Sequence, residues 1–369
     1  MTARHVIVVG SGEFARSICT SLAASPATGG RALRITVLAR DGTAAARIAR
    51  VCRVRAAVTG GRITFAAEAL HDDAEVLARL RPDILVCCAS AQSPYERLTA
   101  PSNWTDLVER AGFGITLPLQ ATVVARLARA LSAVSPDTVL VNGCFPDAVN
   151  PLLHGLGLPV HCGIGNVATL AACLQSTLDL SDQGTLSVLA QHTHLDAPLD
   201  PADEVRVWQH GRQLGGVTAL LAADRALPRR ELNAIAGHAA ARLIEDLATG
   251  TPTRVNLPGP LGLPGGYPVR VSGRTIALDL PAGVTRADAV AWNVRVGRLD
   301  GVQVCAGRVG YPGRAAQVLA EHLPRLAGGW SAADLDAAGA ELTALRDKLR
   351  QQLRQQPRAA PPLAVGHLR

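Results

Sequence analysis

The stretch HVIVVGSGEFARSICTSLA, residues 5–23, joins a strand of the buried type, His5–Val9, to a helical pattern through Gly10, Gly12 and Ala15. An apolar run without alternation suits a strand covered on both faces, and the glycines after it allow a tight turn. Gly10 makes that turn and Gly12 lets the backbone approach a pyrophosphate. The helix opening at Glu13 and Phe14 supplies partial positive charge at its N-terminus. A strand before, a helix after and a second strand, ALRITVLAR, ending at Arg40 give this GxGxxA turn the setting of a dinucleotide-binding unit. A plain βα turn without cofactor is the competing reading.

The end of that second strand speaks to the cofactor. A carboxylate there would hold a ribose 2′-hydroxyl, but Ala39 stands at the expected position and Arg40 beside it. Arginine pairs with a 2′-phosphate, with Thr43 as a hydrogen-bonding helper, which favours NADPH over NADH. Asp41 is the rival ribose ligand, although it also reads as the N-cap of the helix GTAAARIARVCR.

Strands and helices then alternate. RITF is a short strand, DDAEVLARL a helix, DILVCCAS a strand, residues 104–134 one or two helices, and DTVLVN a strand. This order predicts an α/β fold with a doubly wound parallel sheet and a ligand crevice at the strand C-terminal ends. Ala89, Ser90, Ala91, Gln92 and Asn142 fall at those ends.

Composition narrows the function. With 369 residues and 48% hydrophobic content, the chain can bury a large core. We expect a dinucleotide-binding domain over residues 1–150, a mixed α+β substrate domain over 151–355, and a disordered tail over 356–369. No apolar run reaches the roughly 18 residues of a membrane span and the N-terminus opens directly into a strand, so a cytoplasmic protein is expected. Eight cysteines without paired metal spacing read as reduced thiols. The net charge of +7 comes from dispersed arginines, and aromatics are only 3%, which argues against nucleic acid. Lys348 is the only lysine, which sets aside Schiff-base, P-loop and kinase-type chemistry.

In GTLSVLAQHTHLDAPL, residues 184–199, a short apolar strand delivers Gln191, His192 and His194 to a strand-end loop. Residues one apart on a strand point to opposite faces, so a shared metal is the lesser reading and no metal is expected.

The order of segments resembles the lactate/malate dehydrogenase superfamily. CCASAQ (87–92) and SPYERLTAPSNW (93–104) are similar to that family's strand end and mobile catalytic loop. TVLVNGCFPDAVNPLL (138–153) and LPVHCGIGNVATL (158–170) stand where its next two strand segments do. SVLAQHTHLDAPL with VRVWQHG (205–211) resembles the catalytic-histidine region, and YPVRVSGRTIALDL (267–280) with a final helix from Ser331 fits the second domain.

The resemblance implies that His192 is the catalytic acid/base, that Asn142 contacts nicotinamide ribose and substrate, and that Arg97 is the loop arginine. It implies substrate contacts from Gln191, His194, Asn166, Thr169 and His238, and a homodimer or homotetramer. Two charges are missing. The orienting aspartate and the carboxylate-binding arginine map to Thr169 and Ala172, so His192 is expected to be a weak acid-form donor near neutrality. Arg206, Arg212 or Arg242 could restore an anion contact. The function expected is an NAD(P)-dependent oxidoreductase of a C=O, C=N or conjugated bond in a specialised pathway. Its substrate would be a small or peptide-like molecule other than a simple 2-hydroxy acid. A nicotinamide-dependent hydrolase or lyase, with Gly165 at the family's metal-holding cysteine position, and a non-catalytic nucleotide-binding protein are the alternatives.

Overall fold

The structure is a computed structural model that describes residues 3–25 and 32–352; the expected tail over 356–369 lies outside them. The first half alternates β1 (Arg4–Val9), α1 (Glu13–Ala24), β2 (Leu33–Ala39), α2 (Gly42–Thr59), β3 (Ile63–Ala69), α3 (Asp73–Leu80) and β4 (Ile84–Cys87). A short helix α4 (Glu96–Thr99) precedes α5 (Asn103–Ala111), α6 (Leu117–Val134), β5 (Val139–Asn142), α7 (Pro146–Gly155) and β6 (Cys162–Gly163). The six strands form one sheet in the order β3-β2-β1-β4-β5-β6, and every pairing is parallel. The order reverses between β1 and β4, which opens the crevice where such sheets bind dinucleotides.

These elements form where the sequence dictates. β1, β4 and β5 are mostly apolar, with His5 and Asn142 as buried polar exceptions, and are buried along their length apart from Arg4, as a central parallel sheet demands. The residues between α5 and α6, Phe113–Thr116, make a 3-10 turn, so the long segment splits into two helices.

The second half is mixed. It contains α8 (Asn166–Thr177), β7 (Leu186–Leu189), β8 (Arg206–Gln209), β9 (Arg212–Gln213), α9 (Val217–Leu220), α10 (Ala222–Arg225) and α11 (Arg229–Thr249). There follow β10 (Thr253–Pro258), β11 (Gly266–Ser272), β12 (Thr275–Leu278), α12 (Arg286–Gly297), β13 (Gln303–Cys305) and β14 (Arg308–Gly310). The last elements are α13 (Arg314–Ala320), α14 (Pro324–Ala327), β15 (Trp330–Ser331) and α15 (Leu335–Gln351). Their strands make three small antiparallel sheets, β7-β8-β9, β10-β11-β12 and β13-β14-β15. An isolated bridge, Ala190 to Gly266, ties the end of β7 to the start of β11 and so fixes where residues 191–194 emerge.

One core cluster joins α5, α6 and α7 to β13, β14 and α15, and another joins β1, β2 and α1 to α11 and β11. Both halves are therefore packed through shared apolar cores. Among the described residues no helix is long and apolar enough to cross a membrane.

Candidate active site

At the end of β1, Gly10 takes a φ of +125°, and a Cβ there would come within 2.9 Å of the Cys88 carbonyl oxygen. Only glycine lets the turn approach β4 so closely. Gly12, the N-cap of α1, has extended backbone, no side-chain cap and open space where a Cβ would stand. The amides that open α1 are therefore left to meet an anion, and the residues present fit a dinucleotide pyrophosphate. Phe14 packs its ring against Gly143 after β5, which closes the floor of the crevice. Ala15 is buried in the α1 core face, and Glu13 stands at the entrance, 3.8 Å from Arg230.

At the end of β2, the Asp41 side chain accepts a hydrogen bond from the Ala44 amide at 3.0 Å and caps α2. Arg40 and Thr43 are exposed beside it. At the end of β4, Ser90 Oγ donates to the Gln92 carbonyl at 2.6 Å, and the Ala91 amide donates to Leu119. The loop beyond is pinned: Gln92 bonds Glu96 and receives the Trp104 indole N–H, while Arg350 of α15 grips both Glu96 oxygens. Arg97 points outward to an exposed ion pair with Glu109, so the loop arginine does not face the crevice.

Asn142 shapes the next turn from inside. Its Oδ1 accepts the Cys144 amide at 2.9 Å, and its Nδ2 donates to Cys144 O at 3.1 Å and Asn150 Oδ1 at 2.8 Å. It is fully buried, and its side chain holds backbone where the sequence suggested ribose contact. Phe145, next in the turn, takes a φ of +44°, and the edge of its ring meets His192.

His192 lies in the 3-10 turn His192–Leu195 directly after β7. Its ring stacks on Phe113 at 5.1 Å between centroids and meets the edge of Phe145 at 5.2 Å. Its Nδ1 is 2.7 Å from Asp300 Oδ1, while Asp300 Oδ2 accepts the Thr193 amide at 3.1 Å. The side chain is 26% exposed, and Nε2 makes no hydrogen bond among the described residues. Burial disfavours the imidazolium, but the Asp300 carboxylate and its hydrogen bond outweigh this, and His192 holds its proton above the ordinary histidine range.

This corrects the expectation of an unpartnered histidine. The carboxylate lost at Thr169 is supplied by Asp300, in a turn after α12, and Thr169 instead donates to Gly165 O at 3.1 Å. Sequence reasoning missed Asp300. A signal was present in AGFG, residues 111–114, because a Cβ on Gly114 would come within 2.6 Å of the Asp300 carbonyl. The close approach brings Phe113 onto His192.

The remaining candidates separate. His194 is fully buried; its Nδ1 accepts the Gln191 amide at 2.8 Å, its Nε2 donates to Asp203 O at 2.6 Å, and it stacks on Trp292. Burial lowers its proton affinity, so it is a neutral packing residue. Gln191 is buried beside His192 and donates to Asn293 O at 2.6 Å. Asn166 opens α8, partly exposed. His238 sits two turns along α11 in a groove with Thr20, Arg55 and Arg242, away from His192. Arg206 lies over the Trp292 ring and Arg242 pairs with Glu245, which leaves neither on the crevice. Arg229, which opens α11, is the cation whose charge reaches both His192 and Tyr95.

No protein-family model matches the sequence, and no curated protein is significantly similar to it. The fold has counterparts among solved structures. A 6-phospho-α-glucosidase from gut microorganisms, in complex with NAD and glucose-6-phosphate, superimposes with a TM-score of 0.60 at 10% identity, covering 96% of this chain and 100% of that one. The malate dehydrogenase of Aeropyrum pernix gives 0.50 at 14% identity, over 80% of this chain and 98% of that one. The architecture is thus lactate/malate dehydrogenase-like.

Proposed function

We propose that this chain, on its lactate/malate dehydrogenase-like fold, is a nicotinamide-dependent oxidoreductase in which His192 moves the proton that accompanies hydride transfer. The observation that carries the reading is the His192–Asp300 pair, at 2.7 Å, with Nε2 left open at the strand ends of a dinucleotide-type sheet. The nicotinamide supplies the hydride chemistry.

What the protein contributes follows from its own groups. Asp300 holds the proton on Nδ1 and leaves Nε2 as the atom that gives or takes the transferred one. In the reducing direction the imidazolium donates its Nε2 proton to the substrate oxygen or nitrogen, and the ring stays neutral with Nδ1–H toward Asp300. In the oxidising direction Nε2 accepts it. Phe113 and Phe145 hold the ring and keep water from its faces.

The pocket favours a ketone, imine or conjugated bond over a small 2-oxo acid, because Ala172 provides no fork for a carboxylate. NADPH is the favoured cofactor, since Asp41 is committed to capping α2 and Arg40 and Thr43 remain for a 2′-phosphate. We further propose a cytoplasmic homodimer or homotetramer, to be checked by sedimentation and by fractionating the source cells.

The test is a thermal-shift comparison of NADPH and NADH followed by NADPH oxidation over a panel of ketones, aldehydes and imines. A rise in melting temperature and turnover that vanishes in His192→Asn are expected. Tight NADPH binding without turnover of any panel member would sink the reading.

A further inference from the structure

A second carboxyl acts on His192 besides Asp300. Asp147, in the first turn of α7, is 3% exposed, and neither of its oxygens makes a hydrogen bond among the described residues. Beside it lies a cavity of about 20 Å³, lined by Asp147, Asp300, Gln191, Asn293 and Phe145, large enough for one water. Asn293 Oδ1 at this cavity is also buried and unpartnered. Every unsatisfied atom here is therefore an acceptor. A buried carboxylate with no full hydrogen bond, only the weaker pull of the Asp147 and His192 amides, is costly, and the single positive charge His192 can carry is already matched by Asp300. A neutral Asp147 removes the excess charge and supplies the missing donor.

We propose that Asp147 is a positioning carboxyl of the His192 centre, held as the neutral acid while the His192–Asp300 pair is charged, so that Asp147 and His192 titrate as a unit.

The surrounding charges agree. Burial raises the Asp147 carboxyl to about 7; the His192 charge opposes this and Asp300 adds to it, with the amides of Asp147 and His192 opposing more weakly. Tyr267 of β11 senses the same carboxyl, Arg229 of α11 acts on His192, and Asp300 also acts on His194 in the same turn as His192. When Asp147 ionises, its charge favours the imidazolium, so the pair passes its charge through a shared range of pH. The centre then holds one exchangeable proton more than a lone histidine–aspartate pair.

The catalytic consequence rests on the oxidoreductase reading, but the titration does not, and it is measured without turnover. Protein labelled with 15N in its histidine rings is titrated by NMR, with the His192 signals assigned by their loss in His192→Asn. We expect a two-step curve in the wild type and a single step in Asp147→Asn, its midpoint lower by about half a pH unit or more. Superimposable curves overturn the proposal. Infrared difference spectra supply a second measurement: at neutral pH the carbonyl stretch of a protonated acid should be present in wild type and absent in Asp147→Asn. Should that variant not fold, the wild-type band decides alone; its disappearance between about pH 6 and 8 supports the proposal, and its absence at pH 6 overturns it. A two-step curve in a protein without turnover supports this coupling while overturning the oxidoreductase reading.

Discussion

His192 and Asp300 lie 108 residues apart in the chain and 2.7 Å apart in space, with Nδ1 facing Oδ1 and the second carboxylate oxygen on the Thr193 amide. Two hydrogen bonds accepted by one carboxylate fix both the ring and the backbone that carries it. Asp300→Asn keeps the shape and removes the charge. It should lower the proton affinity of His192 and reduce the reductive kcat by about tenfold to a hundredfold, with the loss greatest at high pH. Because the raised histidine is the acid form in that direction, the wild-type rate falls as pH rises through its titration. The variant's fall should begin at lower pH, as pH–rate profiles of the two proteins will show.

Replacing the histidine itself asks a different question. His192→Asn retains a polar group but has no proton to move near neutrality, and a general acid is worth about 10²–10⁴ in rate. We expect a kcat loss in that range with the NADPH dissociation constant unchanged within about twofold. A comparable weakening of NADPH binding would place the ring in the cofactor cradle instead.

The nucleotide-binding half was legible because its signals are local. The glycine turn, the largely apolar strands and the cap at Asp41 each depend on residues a few positions apart, and all stand where the sequence put them. The place of His192 just after β7 was legible through its strand. Asp300 was hidden, since RLDG, residues 298–301, reads as an ordinary surface turn until Gly112 and Gly114 are folded onto it. Asn142, His194 and Thr169 were legible as positions near the site, but not in their roles. A polar side chain at a strand end can serve a ligand or its own turn with the same local sequence, and here the turn receives the hydrogen bonds.

The two glycines of the first turn should respond differently to alanine. Gly10→Ala puts a Cβ 2.9 Å from the Cys88 carbonyl at a φ of +125°, and should destabilise the fold by about 1–3 kcal/mol. Gly12→Ala has room and an ordinary backbone. It should leave the melting temperature of the free protein nearly unchanged while weakening nucleotide binding about tenfold or more, because its methyl projects where a pyrophosphate would lie. Denaturation and calorimetric binding measured on both variants separate the effects.

Arg40 should set the choice between nicotinamides. Removing a charge-assisted contact to a 2′-phosphate costs about 1.5–3 kcal/mol. Arg40→Ala should therefore weaken NADPH by about tenfold or more and leave NADH within about twofold. Equal losses for both would show that Arg40 serves the adenosine in some other way.

Asp147 also predicts how stability depends on pH. Its carboxyl is near 3.8 in the unfolded chain and raised to about 7 in the fold. The native state therefore binds the proton more tightly, and the associated stabilisation is present below about pH 4 and lost as pH rises to about 7. His192, also raised, loses stabilisation in the same direction through its own titration. Glu204, lowered to about 2 by its bonds to Arg225, Thr218 and the Val205 amide despite partial burial, works oppositely and loses its contribution only in acid. The Asp147 shift, in a fully buried group, corresponds to roughly 4 kcal/mol. Asp147→Asn abolishes that part and moves the His192 part to lower pH. The difference in unfolding free energy between variant and wild type should move in the variant's favour from pH 4.5 to pH 8, by about 2–4 kcal/mol, and then level off. Urea denaturation of both proteins at matched pH measures it, and a difference that stays flat over the whole range would mean that Asp147 ionises like an exposed aspartate.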